Sequence, residues 1–293
     1  MKKRVFRRWA DDPPVLDRLV AARLDLERQD AAALIARGSV SVDGERVSER
    51  EAPVGVGQKI TVHLGALAEA PPVVCVYRDA DLAVVDKPAG LPSQPEPSQQ
   101  AFALTAALTR DLGGFARAMH RLDKDASGLV VVALRREMYE PLSRAFAEHA
   151  VERRYVALVG GALAGDGAVR ARIGRHPRDQ RLRAAFPADS STGEAACTRY
   201  RTLGHGSLDG ASISAVELTL ETGRTHQIRV HMASIGHPLV GDTAYGGTPF
   251  TRLCLHAYAV TLPHPRTRKP LAVSLPVPDL FERLVPRLTS PFS

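Results

Sequence analysis

Met119-His120-Arg121-Leu122-Asp123-Lys124-Asp125-Ala126-Ser127-Gly128 runs directly into Leu129-Val130-Val131-Val132-Ala133, a charged loop feeding an apolar strand. If residues 119–123 are extended, side chains alternate, so Arg121 and Asp123 leave one face while His120 and Leu122 leave the other. A cation and a carboxylate projected side by side suit an anionic substrate, although the commoner fate of neighbouring charges is a surface ion pair. His120, turned away from Asp123, reads as a structural histidine. Outward from this strand, residues 73–77, 82–85, 128–134, 155–159, 215–220 and 253–262 also read as strands. Helical spacing is confined to 105–112, 138–148, 226–235 and 279–288. The helices fall irregularly among the strands without a βαβ period, which is an α+β pattern.

A second concentration of polar residues is Glu221-Thr222-Gly223-Arg224-Thr225-His226-Gln227-Ile228-Arg229-Val230-His231. Here an alternating strand ends and a helix begins, with Thr225 expected to cap it. Ile228, Met232 and Ile235 fall on one face, and Gly236 followed by Pro238 stops it. Strand-to-helix turns project side chains and free backbone donors, so Arg224, His226 and Gln227 are placed to pair with a carboxylate or hold phosphate. His226, His231, His237 and Asp242 do not have a usual ligand spacing, and no metal is expected.

Residues 1–64 read as a separate small module of two helices and a hairpin. The valines of Val40-Ser41-Val42 alternate with a polar residue, Asp43-Gly44 supplies the tight turn, and Ile60-Thr61-Val62 closes the sheet. The small-residue and proline stretch of residues 65–72 is the expected linker, and residues 73–293 form the second domain. The chain has 293 residues, 44% hydrophobic and 24% charged, which excludes disorder, collagen and coiled coil. No apolar run is long enough to cross a bilayer, and Met1 to Trp9 carries basic residues without an apolar segment after it, so a cytoplasmic protein without membrane contact is expected. Lys and Arg exceed Asp and Glu by 39 to 32, a net +7 compatible with a polyanionic partner. Cys75, Cys197 and Cys254 show no CxxC spacing and are expected to be buried reduced thiols.

Two resemblances follow from these residues. Leu16-Asp17-Arg18-Leu19, Ile35-Ala36-Arg37-Gly38 and Val56-Gly57-Gln58-Lys59-Ile60 resemble the S4 RNA-binding module. The likeness implies RNA backbone lying along Arg18, Arg23, Arg28 and Arg37. His120-Arg121-Leu122-Asp123 with Ser127-Gly128-Leu129, and Gly223-Arg224-Thr225-His226-Gln227-Ile228-Arg229, resemble the signature blocks of RluA-type pseudouridine synthases. Asp86-Lys87-Pro88-Ala89-Gly90-Leu91, Arg154-Tyr155 and Gly241-Asp242-Thr243-Ala244-Tyr245-Gly246 stand in the shared order. Ala126 departs from the family's usual Thr.

The second resemblance implies a mixed, mainly antiparallel central sheet flanked by helices, with Asp123 at the floor of a cleft. It implies an isomerase that breaks the N1–C1′ bond of uridine and joins C5 to C1′, without cofactor or metal. Asp123 would be the catalytic carboxylate, kept ionised by Arg224. Tyr155 would stack on the base and Ile228 lie on its other side. Arg121 would enter the RNA stack as the base flips, with His226 and Gln227 also touching substrate. Structured RNA is the expected partner, ribosomal RNA of the large subunit ahead of transfer RNA, and the protein is expected to be a monomer. A catalytically silent RNA-binding protein would be expected to lack Asp123, Arg224 or Tyr155, and all three are present. An aspartate-based hydrolase lacks a second suitably spaced carboxylate.

Overall fold

The computed structural model describes residues 2–36, 39–47, 49–64, 70–94 and 103–286. They form two compact units, Met1–Val73 with Leu91–Gly113, and Val74–Gly90 with Gly114–Ser293.

The first unit contains β1 (Lys2–Arg7), α1 (Leu16–Leu24), α2 (Arg28–Ala36), β2 (Val40–Val42), β3 (Glu45–Arg46), β4 (Lys59–Leu64) and α3 (Leu104–Leu112). Its antiparallel sheet has the order β1-β4-β2-β3. Asp43 and Gly44 both have positive φ (51° and 96°), the geometry that a two-residue hairpin turn demands. Leu16, Leu19 and Val20 of α1 and Leu34 and Ile35 of α2 are buried in one cluster with Val40, Ile60 and Val62. The basic N-terminal run is itself an edge strand, which its clustered charges concealed. Arg110 of α3 donates to the Ala70 carbonyl (2.9 Å) and the Val73 amide donates to Asp111 (2.8 Å), so residues 91–113 group with this unit although the sequence division assigned them to the second domain. Of the expected linker, residues 65–69 lie outside the described residues, as does Arg37. Arg23 pairs with Asp12 at 2.6 Å and Arg28 with Asp17 at 2.9 Å, and both side chains remain partly exposed. Arg18 is exposed.

The second unit is built on an 11-stranded sheet. Its elements are β5 (Val74–Arg78), β6 (Leu82–Lys87), β7 (Arg117–Ala118), β8 (Ser127–Ala133), α4 (Arg136–Ala147), β9 (Glu152–Gly160), β10 (Asp166–Arg175), β11 (Arg183–Phe186), β12 (Glu194–Leu208), β13 (Ala211–Leu220), α5 (Gln227–Ser234), β14 (Leu255–Pro263), β15 (Pro270–Ser274) and α6 (Asp279–Leu284). The main order is β11-β10-β12-β13-β9-β14-β8-β6-β5, with β15 added to β14 and β7 to β8. Only the β8–β14 pairing is parallel among the described strands, so the sheet is mixed and mainly antiparallel as expected. Strands β10, β11 and β12 carry arginines and small residues in partly exposed positions, and β15 is short and mostly exposed, which hid them from a search for apolar runs.

Alternation along β8 sends Leu129, Val131 and Ala133 into one cluster with Met138 and Leu142 of α4. Val156 and Leu158 of β9 enter another with Phe281 of α6. Where β8 meets β14, Gly128 has φ 114°, and a Cβ there would lie 2.2 Å from the Ala257 carbonyl oxygen. Only glycine lets the two backbones approach so closely at the end of the charged loop. Cys197 and Cys254 are buried as expected, and burial pushes the Cys254 thiol up to about 12. Cys75 is instead exposed, because β5 is the sheet's edge strand.

Three histidines of this unit are held neutral by burial: His231 and His256 at about 4, and His120 at about 3. Their folded values lie below the unfolded value of about 6.5, so the unfolded chain takes up protons first as the solution is acidified. Stability is therefore expected to fall as pH drops from about 6.5 towards 4, by on the order of 1 kcal/mol per histidine by pH 5.5. Thermal midpoints measured at pH 7.5 and 5.5 check this; equal midpoints would show the histidines charged in the fold.

Candidate active site

Asp123 lies in the loop between β7 and β8, and the loop is gripped from behind. Lys87, fully buried at the end of β6, donates from Nζ to the carbonyls of Pro88 (2.9 Å) and Lys124 (3.0 Å), while the Gly90 amide also donates to Lys124 (2.9 Å). Burial pulls Lys87 down to about 8, with the charges of Asp125 and Asp123 opposing that shift. Arg252 donates to Ser127 Oγ (2.6 Å), which bonds His256 Nδ1 (2.8 Å). The Asp-Lys-Pro block, which stands in the shared order of the resemblance, thus supports the loop that carries Asp123.

Facing the loop is the first turn of α5. Arg229 donates from Nε and Nη2 to Asp242 (2.7 and 2.8 Å), and its Nη1 lies 3.5 Å from Asp123 Oδ2. Its guanidinium carbon sits 4.9 Å from the centroid of the Tyr245 ring. Burial disfavours the charge on Arg229, but the hydrogen bonds and charge of Asp242, with the charge of Asp123, outweigh it and hold the guanidinium firmly protonated. Asp242 is itself almost wholly buried, so this pair is a fixed part of the cleft wall.

The expected residues converge: Arg121, Asp123, Tyr155, Arg224, His226, Gln227 and Ile228 all line one cleft with about 570 Å³ of empty space. Tyr155 reaches it from β9 and Ile228 from α5, each only 4% exposed, whereas Arg121 stands in solvent at its edge. Burial raises the Tyr155 phenol above its ordinary value, so it stays protonated at neutral pH.

Several expectations need correction. Arg224 does not pair with Asp123: its side chain turns to Glu194 and the Ala195 carbonyl, because it precedes α5 and runs along β12. The cation facing Asp123 is Arg229, which the spacing left without a role; its buried partner Asp242 in the later Gly-Asp segment was the signal available. Gln227 has no amide hydrogen left for a substrate. Its Nε2 donates to the Cys197 carbonyl and Thr198 Oγ1, and its Oε1 accepts from Thr222 Oγ1 and the Arg224 amide. It therefore shapes the turn. Thr225 does not cap the helix: α5 starts at Gln227 after His226, whose φ of 57° marks a sharp left-handed bend. His226 is tied by Nδ1 to the Tyr245 hydroxyl (2.7 Å), and burial lowers its pKa. Ile235 is exposed rather than sharing the buried face of Ile228 and Met232, since α5 has ended at Ser234.

His231 bonds Thr198 and His237 bonds the Gly160 carbonyl, so these histidines and His226 serve three different partners. Asp79, Asp81 and His264 do lie together, but Arg266 forks onto Asp81 (2.6 Å twice) and already neutralises it.

The model of the family described as RNA pseudouridylate synthase matches residues 81–234. "Ribosomal large subunit pseudouridine synthase D" of Xanthomonas campestris pv. campestris is 36% identical, over 90% of this chain and 85% of that protein. The protein of the same name from Nitrosomonas europaea is 37% identical, over 90% and 84%. Among solved structures, human RNA pseudouridylate synthase domain containing 1 is similar with a TM-score of 0.64 and 28% identity, covering 78% of this chain and 91% of that one.

Proposed function

The chain belongs to the RNA pseudouridylate synthase family, in its RluA branch, and from that premise we propose that it converts uridine to pseudouridine in large-subunit ribosomal RNA with Asp123 as its catalytic carboxylate. The observation that carries this reading is the ion pair between Asp123 and Arg229 in a cleft that also holds Tyr155 and Ile228. An ionised carboxylate is what the isomerisation requires, as nucleophile at the sugar or as base, and Arg229 sets a guanidinium 3.5 Å from the Asp123 carboxyl.

The target base must leave its helix to reach Asp123, at a cost of a few kcal/mol. Arg121, exposed at the cleft edge, fills the vacated place. Tyr155 and Ile228 hold the uracil between a ring and an aliphatic face, so that it turns without escaping after the N1–C1′ bond breaks. Arg224 contributes positive charge at the rim. Residues 1–64 act as an S4-like RNA-binding domain through the exposed Arg18, and the second unit, Val74–Gly90 with Gly114–Ser293, as the catalytic domain of a cytoplasmic monomer.

Ribosomal and transfer RNA from cells with and without this gene, mapped for pseudouridine, tests the reading. One or more large-subunit sites should vanish with the gene and return with the wild-type copy. Loss confined to transfer RNA overturns the ribosomal assignment, and no change in either overturns the activity.

A further inference from the structure

Four arginines line the cleft, and three of them are accounted for. Arg229 is bound to Asp242 and Asp123, Arg224 to Glu194, and Arg121 stands exposed at the edge. Arg153 is the fourth. It precedes Tyr155 by two residues on β9, so the strand's alternation sends both side chains to the same face. It is partly buried, and its Nε is shielded from solvent without a hydrogen-bond partner. Among the described residues, no carboxylate pairs with it. Its guanidinium carbon lies 5.8 Å from the Phe146 ring centroid, which supports the plane on one side. Its Nη1 and Nη2 lie 3.1 and 3.5 Å from where a Cβ on Gly223 would be, so the bare glycine leaves the outer edge of the fork beside the cleft.

A guanidinium whose Nε is shielded from water, with no carboxylate partner among the described residues, costs stability unless a ligand supplies an anion. We infer that Arg153 is a phosphodiester subsite, which binds a phosphate next to the target uridine and fixes the nucleotide over Asp123. This rests on the pseudouridine synthase reading. Planar, forked donors match a phosphate's paired oxygens better than a point charge does. Strand geometry agrees: Tyr155 holds the base, and a residue two positions away lies about 7 Å along the strand, a distance suited to the sugar-phosphate flank. Arg153 is thus a binding residue, separate from the carboxylate chemistry.

The test uses the full-length enzyme and a hairpin of large-subunit ribosomal RNA around its mapped uridine. The hairpin is made with ordinary linkages, or with a neutral methylphosphonate in place of either phosphate flanking that uridine. Wild-type turnover on the ordinary hairpin secures the underlying activity; its absence would defeat that reading rather than this one. Arg153→Ala should lower kcat/KM by about 10- to 100-fold, mainly through KM, with Arg153→Lys recovering part of the loss. At one of the two linkages, methylphosphonate should weaken wild type by a similar factor and Arg153→Ala hardly at all. If the two changes multiply at both linkages, or if Arg153→Ala leaves KM unchanged, the phosphate assignment is wrong.

Discussion

Asp123→Asn is expected to reduce pseudouridine formation by at least about 10⁴-fold while leaving RNA affinity within a few-fold of wild type. The substitution keeps the shape of the side chain and removes its charge. An amide is neither a nucleophile nor a base at neutral pH, and loss of such a group costs roughly the full factor that nucleophilic or general-base catalysis provides. Affinity survives because the contacts that hold the RNA are made elsewhere: by the exposed Arg121, by Arg153, by the apolar walls of Tyr155 and Ile228, and by the N-terminal residues. Single-turnover conversion of a ribosomal RNA transcript, read by pseudouridine mapping, is to be measured beside filter binding of the same transcript. Turnover within 10-fold of wild type would remove Asp123 from the chemistry, and a proportional loss of binding would make it a contact residue.

Arg229→Lys comes next in size. Its guanidinium uses Nε and Nη2 on Asp242 and presents Nη1 to Asp123, so a single planar group serves two carboxylates on different segments. Lysine brings one point charge and can satisfy one of them. Turnover is expected to fall by roughly 10²- to 10³-fold, about the loss seen when one oriented cationic or hydrogen-bonding group is removed from an active site. Stability should fall too, by up to about 3–5 kcal/mol if the buried Asp242 loses its partner altogether. Arg224→Lys, at a site whose partner Glu194 is 67% exposed, should cost less than about 10-fold. Measuring kcat and the thermal midpoint of both variants separates them. If Arg224→Lys proves the more damaging in turnover, Arg224 and not Arg229 serves Asp123 during the reaction, and the resting geometry misleads.

The contrast between these arginines shows where reading along the chain stops. Arg224 and Arg229 occupy the same short block, and both are charged residues beside a strand-to-helix junction. Their fates differ because Arg224 precedes α5 and stays in the turn, pointing along β12, whereas Arg229 stands on the helix's first turn, pointing into the cleft. Gln227 shows the same limit: an amide that looked available is consumed in bonds to Cys197, Thr198, Thr222 and Arg224.

Local pattern was enough for the α+β class, the apolar strands at the sheet's centre, the hairpin at Asp43-Gly44, and the loop that presents Asp123. Each of these is set by alternation, turn chemistry and burial within a few consecutive residues. Resemblance, not periodicity, brought Tyr155 and the block at residue 224 to the same cleft. Tertiary structure alone decided that Arg229 faces Asp123, that Asp242 holds it, that Lys87 braces the loop, and that Arg153 has no carboxylate partner among the described residues. Those are relations between residues 13 to 106 positions apart, and charge pairing over such separations depends on where the sheet brings backbones together. One-dimensional spacing carries no record of that.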